Sequence, residues 1–353
     1  MKNTQTKKVG IIGSGNWGST IGKIVGLNVQ KLEDFETTVR MWVLEENIGE
    51  EKLSEIINSR HENVKYLPGI PLPDNLVAET EITKCADADY LIFVLPHQFL
   101  QSVLQKMKPT VKSTAIGISL IKGIDFADDS GIKLLTDTVE QNLGIPCGVL
   151  MGANLADEVS KEMFCEATLA FKDIHIAEDL KRIFKTDYFC ISCITDQVTA
   201  ELCGALKNIV AVGSGVINGL NLGNNTKAAV IRIGFMEMKN FIFQFFNDRN
   251  PNVDTFLESC GMADLITTCY GGRNTKIGHH LATTEKSVRE LEKELLNGQS
   301  AQGPLTAAEV YKMLETHELL DKYPLLVAIH NICQRKLPPN KFIEYLKNHP
   351  LHE

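Results

Sequence analysis

Lys8-Val9-Gly10-Ile11-Ile12-Gly13-Ser14-Gly15-Asn16-Trp17-Gly18 is the stretch on which the fold turns. A short β-branched run ends in a Gly-x-Gly-x-x-Gly, and a helical pattern begins near Trp17. Gly13 suits a tight turn, Gly15 a close approach of backbone to a pyrophosphate, and Gly18 the packing of helix on strand. The motif alone is equally a plain turn; its strand-turn-helix setting favours dinucleotide binding at the helix N-terminus. Outward from it, β-branched runs alternate with helical stretches as far as Ile194. Strands are expected at Lys8 to Ile12, Thr38 to Val43, Tyr90 to Leu95, Thr114 to Leu120, Cys147 to Met151, Ala167 to Phe171 and Tyr188 to Ile194. That alternation predicts an α/β fold with an N-terminal Rossmann-type, doubly wound parallel sheet covered on both faces. From Asp196 the strand signal stops, and helices are expected over Asp196 to Ile217, Thr226 to Phe246 and Ala307 to Glu315. The reading is therefore a cofactor domain over residues 1–194 and an all-α substrate domain over 195–353.

The size of the chain, 353 residues, agrees with two domains. Hydrophobic residues at 44% and charged residues at 23% are values of a globular protein. No apolar run is read as approaching the ~18 residues of a membrane helix. The polar Met1 to Lys8 resembles neither a signal nor a transit peptide, and the terminal Leu351-His352-Glu353 is no peroxisomal signal, which leaves the cytosol as the expected location. A net charge of −8 argues against nucleic-acid or anionic-membrane partners, so a phosphorylated ligand requires a locally basic pocket. The nine cysteines sit mostly in apolar segments, as reduced, buried thiols do. Cys190 and Cys193 lie in a strand pattern that points them to opposite faces, so they are read as core residues.

Several residues beyond the glycine loop fall at strand ends, where ligands of such sheets bind. Leu44, Glu45 and Glu46 follow the second strand; either acid suits an adenosine ribose or, equally, a solvated surface. Pro96-His97-Gln98-Phe99 follows another strand, with Phe99 placed to flank a cofactor and His97 read as a helix cap rather than an acid catalyst. Lys122 follows Ser119-Leu120-Ile121 and suits either an anion site or the surface. Met151-Gly152-Ala153-Asn154-Leu155-Ala156 fits close approach of a nicotinamide, or a tight turn.

Lys207 is the more telling residue. It interrupts an apolar helix whose neighbouring positions are Cys203, Gly204, Val210 and Ala211, and an unpaired buried ammonium is too costly to leave without an anion, a cleft or a lowered pKa. Asp264 and Thr268 are four residues apart, hence on one helical face. Tyr270-Gly271-Gly272-Arg273-Asn274 joins exposed backbone amides to a guanidinium, a combination suited to a phosphate. Together with Lys122 and Lys207 it describes a small anionic substrate.

The runs GSGNWG, HENVKYLPG, LIFVLPHQF, SLIKG, VLMGAN, CGALKN, NTKAAVIR, LESCGMADLITTCYGGRN, LEKELLNGQ and the terminal NHP, in this order over nearly the whole chain, resemble the cytosolic, eukaryotic NAD-dependent glycerol-3-phosphate dehydrogenases. The resemblance implies a homodimer that interconverts dihydroxyacetone phosphate and glycerol 3-phosphate by direct hydride transfer, with no metal. It implies NAD contacts from Gly13, Ser14, Gly15, Asn16, Trp17, Gly18, Leu44, Phe99, Ala156, Arg273, Ser300 and Gln302, the last on a loop closing over the cofactor. Lys122, Lys207, Arg273 and Asn274 would bind the substrate, Lys207 would also be the proton donor or acceptor, and Asn208, Asp264 and Thr268 would complete the site. Leu44 stands where the family commonly has Phe, and Ser300 where it has Lys; both concern grip on the cofactor rather than chemistry. The rival readings are a β-hydroxyacid dehydrogenase, which would not call for the Gly-Gly-Arg-Asn run, a non-catalytic NAD(H) sensor, which would not need Lys207, Asp264 and Arg273 together, and an inactive paralogue.

Overall fold

A computed structural model of the chain describes residues 6–127, 131–296 and 300–352. These form two compact units, residues 1–121 with 134–197, and residues 122–133 with 198–353. This corrects the expected single cut after residue 194: the chain leaves the first unit after its fifth sheet strand, and returns at Leu134. Within the excursion Asp125–Ala127 and Gly131–Lys133 pair as antiparallel strands, so the second unit is mainly, not entirely, helical.

The first unit is built on eight strands, β1 (Lys7–Ile12), β2 (Phe35–Trp42), β3 (Leu76–Glu79), β4 (Tyr90–Phe93), β5 (Ile116–Ser119), β6 (Cys147–Met151), β7 (Cys165–Ala170) and β8 (Phe189–Ile194). Their order is β8-β7-β6-β5-β4-β1-β2-β3. All pairs are parallel except β6 with β7, so the sheet is mixed where an all-parallel one was expected. β1 lies inside the sheet, and Val9, Ile11 and Ile12 are buried, as a strand covered on both faces requires. β3 is a strand the sequence reading missed: four residues after Pro73 give too little alternation to register. Cys190 and Cys193 are half-buried, because β8 is an edge strand and not core; none of the nine cysteines is in a disulfide. Helix α1 (Asn16–Val29) follows β1 directly. Its Lys23 is buried, donating to the Ser160 carbonyl and to Glu162, each at 2.9 Å. Thr20 donates to the Ala156 carbonyl at 3.2 Å, so the short helix Ala156–Ser160 is tied to α1.

The second unit contains helices α2 (Gln197–Gly219), α3 (Gly223–Phe245), α4 (Asp264–Tyr270), α5 (Arg273–Thr283), α6 (Gln302–Thr316) and α7 (Pro324–Cys333). Contrary to the sequence reading, α2 is long and apolar enough to cross a membrane, with a mean hydropathy of 1.3 over its most apolar window, but that window is entirely buried within the protein. It is the central core helix. A side chain at Gly215 would come within 2.1 Å of the Thr275 carbonyl oxygen, and one at Gly278 within 2.0 Å of that of Val212, so α2 and α5 cross with their backbones nearly touching. This close crossing brings the start of α5 to the middle of α2, where Lys207 and Asn208 lie.

Candidate active site

In the first unit the loop after β1 has the features of a pyrophosphate cradle. Gly13 has φ +124°, and a Cβ there would sit 2.3 Å from the Val94 carbonyl oxygen, so only glycine makes this turn. A Cβ at Gly18 would lie 2.2 Å from the Gly13 carbonyl oxygen, which allows helix and loop to pack flush. One at Gly15 would meet no protein atom within 4 Å, so that glycine leaves the backbone approachable instead of serving internal packing. α1 has no side-chain cap and no acid in its first turn, which keeps its N-terminal amides and positive dipole end available to an anion. Asn63, from the HENVKYLPG run, went unremarked in the sequence. Wholly buried, it donates to the Ser14 carbonyl and the Ser19 hydroxyl, each at 2.8 Å, and so fixes the loop.

Leu44 and Phe99, at the ends of β2 and β4, are 67% and 54% exposed, high values for large apolar side chains. Trp17 packs edge-on against Phe189. The two acids read as suiting either a ribose or a solvated surface are engaged within the protein. Glu45 accepts from the Ser54 amide and hydroxyl at the start of helix Leu53–Arg60, and Glu46 accepts from Tyr66 at 2.6 Å and from Lys65. His97 begins a short 3₁₀ turn whose cap residue is Pro96.

In the second unit the structure brings Lys122, Lys207, Asp264 and Thr268 together. A single π-turn, Ser259–Ala263, runs into α4 and sets Asp264 at its first position. Lys207 Nζ donates to Asp264 Oδ1 at 2.5 Å and to Thr268 Oγ1 at 2.6 Å, and Lys122 Nζ donates to Asp264 Oδ2 at 2.9 Å. Thr268 in turn donates to the Asp264 carbonyl at 2.6 Å, so its hydroxyl is spent on holding lysine and helix. Asp264 is 2% and Lys207 4% exposed. Burial pushes the Lys207 ammonium down to about 7; the Asp264 carboxylate opposes this shift and the Lys122 charge adds to it. One carboxylate facing two ammonium groups leaves local positive charge, which a chain of net charge −8 needs in order to hold an anion.

Arg273 opens α5 and is exposed, following Gly271 and Gly272, the latter at φ +101°. The expected phosphate loop is thus a helix N-terminus. Asn274 is buried, and its side chain binds Asn208 Oδ1 and the Gly303 amide, both at 2.8 Å, contacts that use one Nδ2 hydrogen and one lone pair of Oδ1. Asn208 Nδ2 donates to the Gly204 carbonyl at 3.2 Å. Gln302, expected on a loop, is the first residue of α6; Ser300 lies just before it, half-buried, and Asn297 to Gln299 of the same run lie outside the described residues. Among the described residues there is no cluster of His, Cys, Asp or Glu that could hold a metal ion.

Two family models match the chain, the N-terminal region of NAD-dependent glycerol-3-phosphate dehydrogenase over residues 8–177 and its C-terminal region over residues 196–344. The human cytoplasmic glycerol-3-phosphate dehydrogenase [NAD(+)] is 53% identical over 348 residues, covering 98% of this chain and 99% of the relative. Among solved structures, glycerol-3-phosphate dehydrogenase of Saccharomyces cerevisiae is 44% identical with a TM-score of 0.90, covering 98% of this chain and all of that one. The enzyme of Plasmodium falciparum is 40% identical with a TM-score of 0.93, covering 98% and 96%.

Proposed function

The chain belongs to the family of NAD-dependent glycerol-3-phosphate dehydrogenases, and we propose that Lys207 is the proton donor and acceptor of its reaction. That reaction interconverts dihydroxyacetone phosphate with NADH and glycerol 3-phosphate with NAD, in the cytoplasm, where the human relative's name places it. The nicotinamide supplies or takes up the hydride at C2 of the substrate. As the C2 carbonyl is reduced, its oxygen gains charge and takes a proton from Lys207 Nζ; in oxidation the neutral amine takes that proton back. The observation that carries this is the buried Lys207, oriented by Asp264 and Thr268 and held to about 7, where an amine both gives and accepts protons at neutral pH. Asp264 and Thr268 are positioning residues. Lys122 and Arg273, with the α5 amides behind Gly272, bind the substrate and its phosphate. The glycine loop with Ser14, Asn16 and Trp17, the exposed Leu44 and Phe99, and Ala156, Arg273, Ser300 and Gln302 serve the cofactor. On this reading the first unit is the cofactor domain and the second the catalytic one.

NADH absorbance followed with dihydroxyacetone phosphate and, separately, with unphosphorylated dihydroxyacetone tests the substrate. Turnover is expected with the first and nearly none with the second; equal rates would remove the phosphate site. The protein works as a homodimer on this reading. Met262, Ile266 and Tyr270, exposed at successive turns of one face, support it, and sedimentation at twice the monomer mass checks it.

A further inference from the structure

We propose that Gly303 is a positioning residue for the reaction: its backbone N–H sets the orientation of the Asn274 amide, and through it the orientation of the Asn208 amide beside Lys207. The inference rests on the reading of Lys207 as the acid. A backbone N–H can only donate. The atom of Asn274 that faces Gly303 N at 2.8 Å is therefore its oxygen, which turns Nδ2 toward Asn208. That NH₂ can only donate too, so the atom of Asn208 it meets at 2.8 Å is Oδ1. Asn208 is left with its own NH₂, one hydrogen of which reaches the Gly204 carbonyl at 3.2 Å. The free polarity of the Asn208 amide is thus a donor, complementary to a substrate oxygen and opposite to what a flipped amide would present. Both asparagines are buried, at 6% and 8% exposure, so neither amide has water to reorient against.

Position 303 also has no room for another residue. A Cβ there would stand 2.4 Å from the Asn208 carbonyl oxygen, 2.6 Å from Val212 Cγ2 and 3.0 Å from Asn274 Oδ1. Any side chain pushes the start of α6 off α2 and lengthens the N–H to Asn274 contact. Gly303 is the second residue of α6, where an amide has no acceptor within its own helix, and Pro304 after it has no N–H at all. The Asn274 side chain is accordingly the acceptor for an otherwise orphaned donor.

Hydrogen exchange of the Gly303 amide, read by NMR, tests the relay without reference to catalysis. In the wild-type protein the amide is expected to exchange on the order of 10-fold or more slowly than an open helix-start amide, and Asn274→Ala should abolish that protection. Fast exchange in the wild type, or protection that survives Asn274→Ala, overturns the proposal. In steady-state assays Gly303→Ala is expected to lower kcat by about 10-fold or more, and adding Asn274→Ala to it should cost little further. Multiplicative losses would show that Gly303 does not act through Asn274, and an unchanged kcat in a folded Gly303→Ala would show that it does not act at all. If Gly303→Ala does not fold, the exchange experiment still decides. Failure of the Lys207 reading would appear instead as full activity in Lys207→Ala, with Gly303 exchange unaltered.

Discussion

Lys207 shares the carboxylate of Asp264 with Lys122, and the sign of its titration sets the pH dependence of both directions. Reduction needs the ammonium, so kcat/KM for dihydroxyacetone phosphate should be flat below pH about 7 and fall about tenfold per unit above it. Oxidation of glycerol 3-phosphate needs the free amine, so its kcat/KM should rise toward pH about 7 and then level. Profiles measured at saturating cofactor check both limbs; two profiles bending the same way would contradict the assignment. Arg273→Ala should weaken use of the phosphorylated substrate by on the order of 2–4 kcal/mol, the range of lost charge-assisted contacts, which steady-state kinetics will read directly. Lys207 was legible in the sequence because a charge inside an apolar helix demands an explanation. Asn63 was not: a polar residue between Glu62 and Val64 reads as a loop, and only the fold reveals that it is buried against Ser14.

Helix starts carry much of the second unit's design, and that of α7 is capped from outside its own segment. Glu237 of α3 accepts the Leu325 and Leu326 amides, each at 2.8 Å, and its Oε1 also lies 2.8 Å from His349 Nε2. His349 Nδ1 accepts from the Leu351 amide, so the ring donates from Nε2 and the terminal Asn-His-Pro run is pinned to α3 and α7 together. Burial pushes the Glu237 carboxyl up, while these donors hold it down. Glu237→Ala should therefore cost at least about 2 kcal/mol by leaving buried amides unsatisfied, seen as a lower urea midpoint at constant m-value. Unchanged stability would show the clamp to be incidental. The sequence displayed α2 and α3 through their apolar length, but not this cap, since nothing local marks Glu237 as the partner of residues nearly ninety positions away. The same limit explains Glu45 and Glu46. Their place after β2 suggested a ribose, whereas Ser54, Lys65 and Tyr66, which claim them, come from the following helix and loop.

Across the whole molecule, the alternation of β-branched runs with helices was enough to reach a doubly wound sheet followed by a helical unit, because long periodic segments leave few architectures open. The antiparallel pairing of β7 with β6 and the excursion of residues 122–133 into the second unit were not legible, being decided by long-range contacts rather than local pattern. Residue chemistry fared similarly. Asp264 and Thr268 were paired by their spacing and Lys122 by its place after a strand, and the fold gathers all three around one ammonium. The account stands on that ammonium as the acid of the reduction, and the measurement that tests it most directly is the single-turnover rate of NADH oxidation with dihydroxyacetone phosphate in Lys207→Ala and Lys207→Arg, with folding and NADH binding verified. Both variants should fall by at least about 10²- to 10⁴-fold, since a guanidinium supplies charge but does not readily release its proton. Near-normal turnover in Lys207→Arg would reduce Lys207 to an electrostatic clamp, and near-normal turnover in Lys207→Ala would remove it from the chemistry altogether.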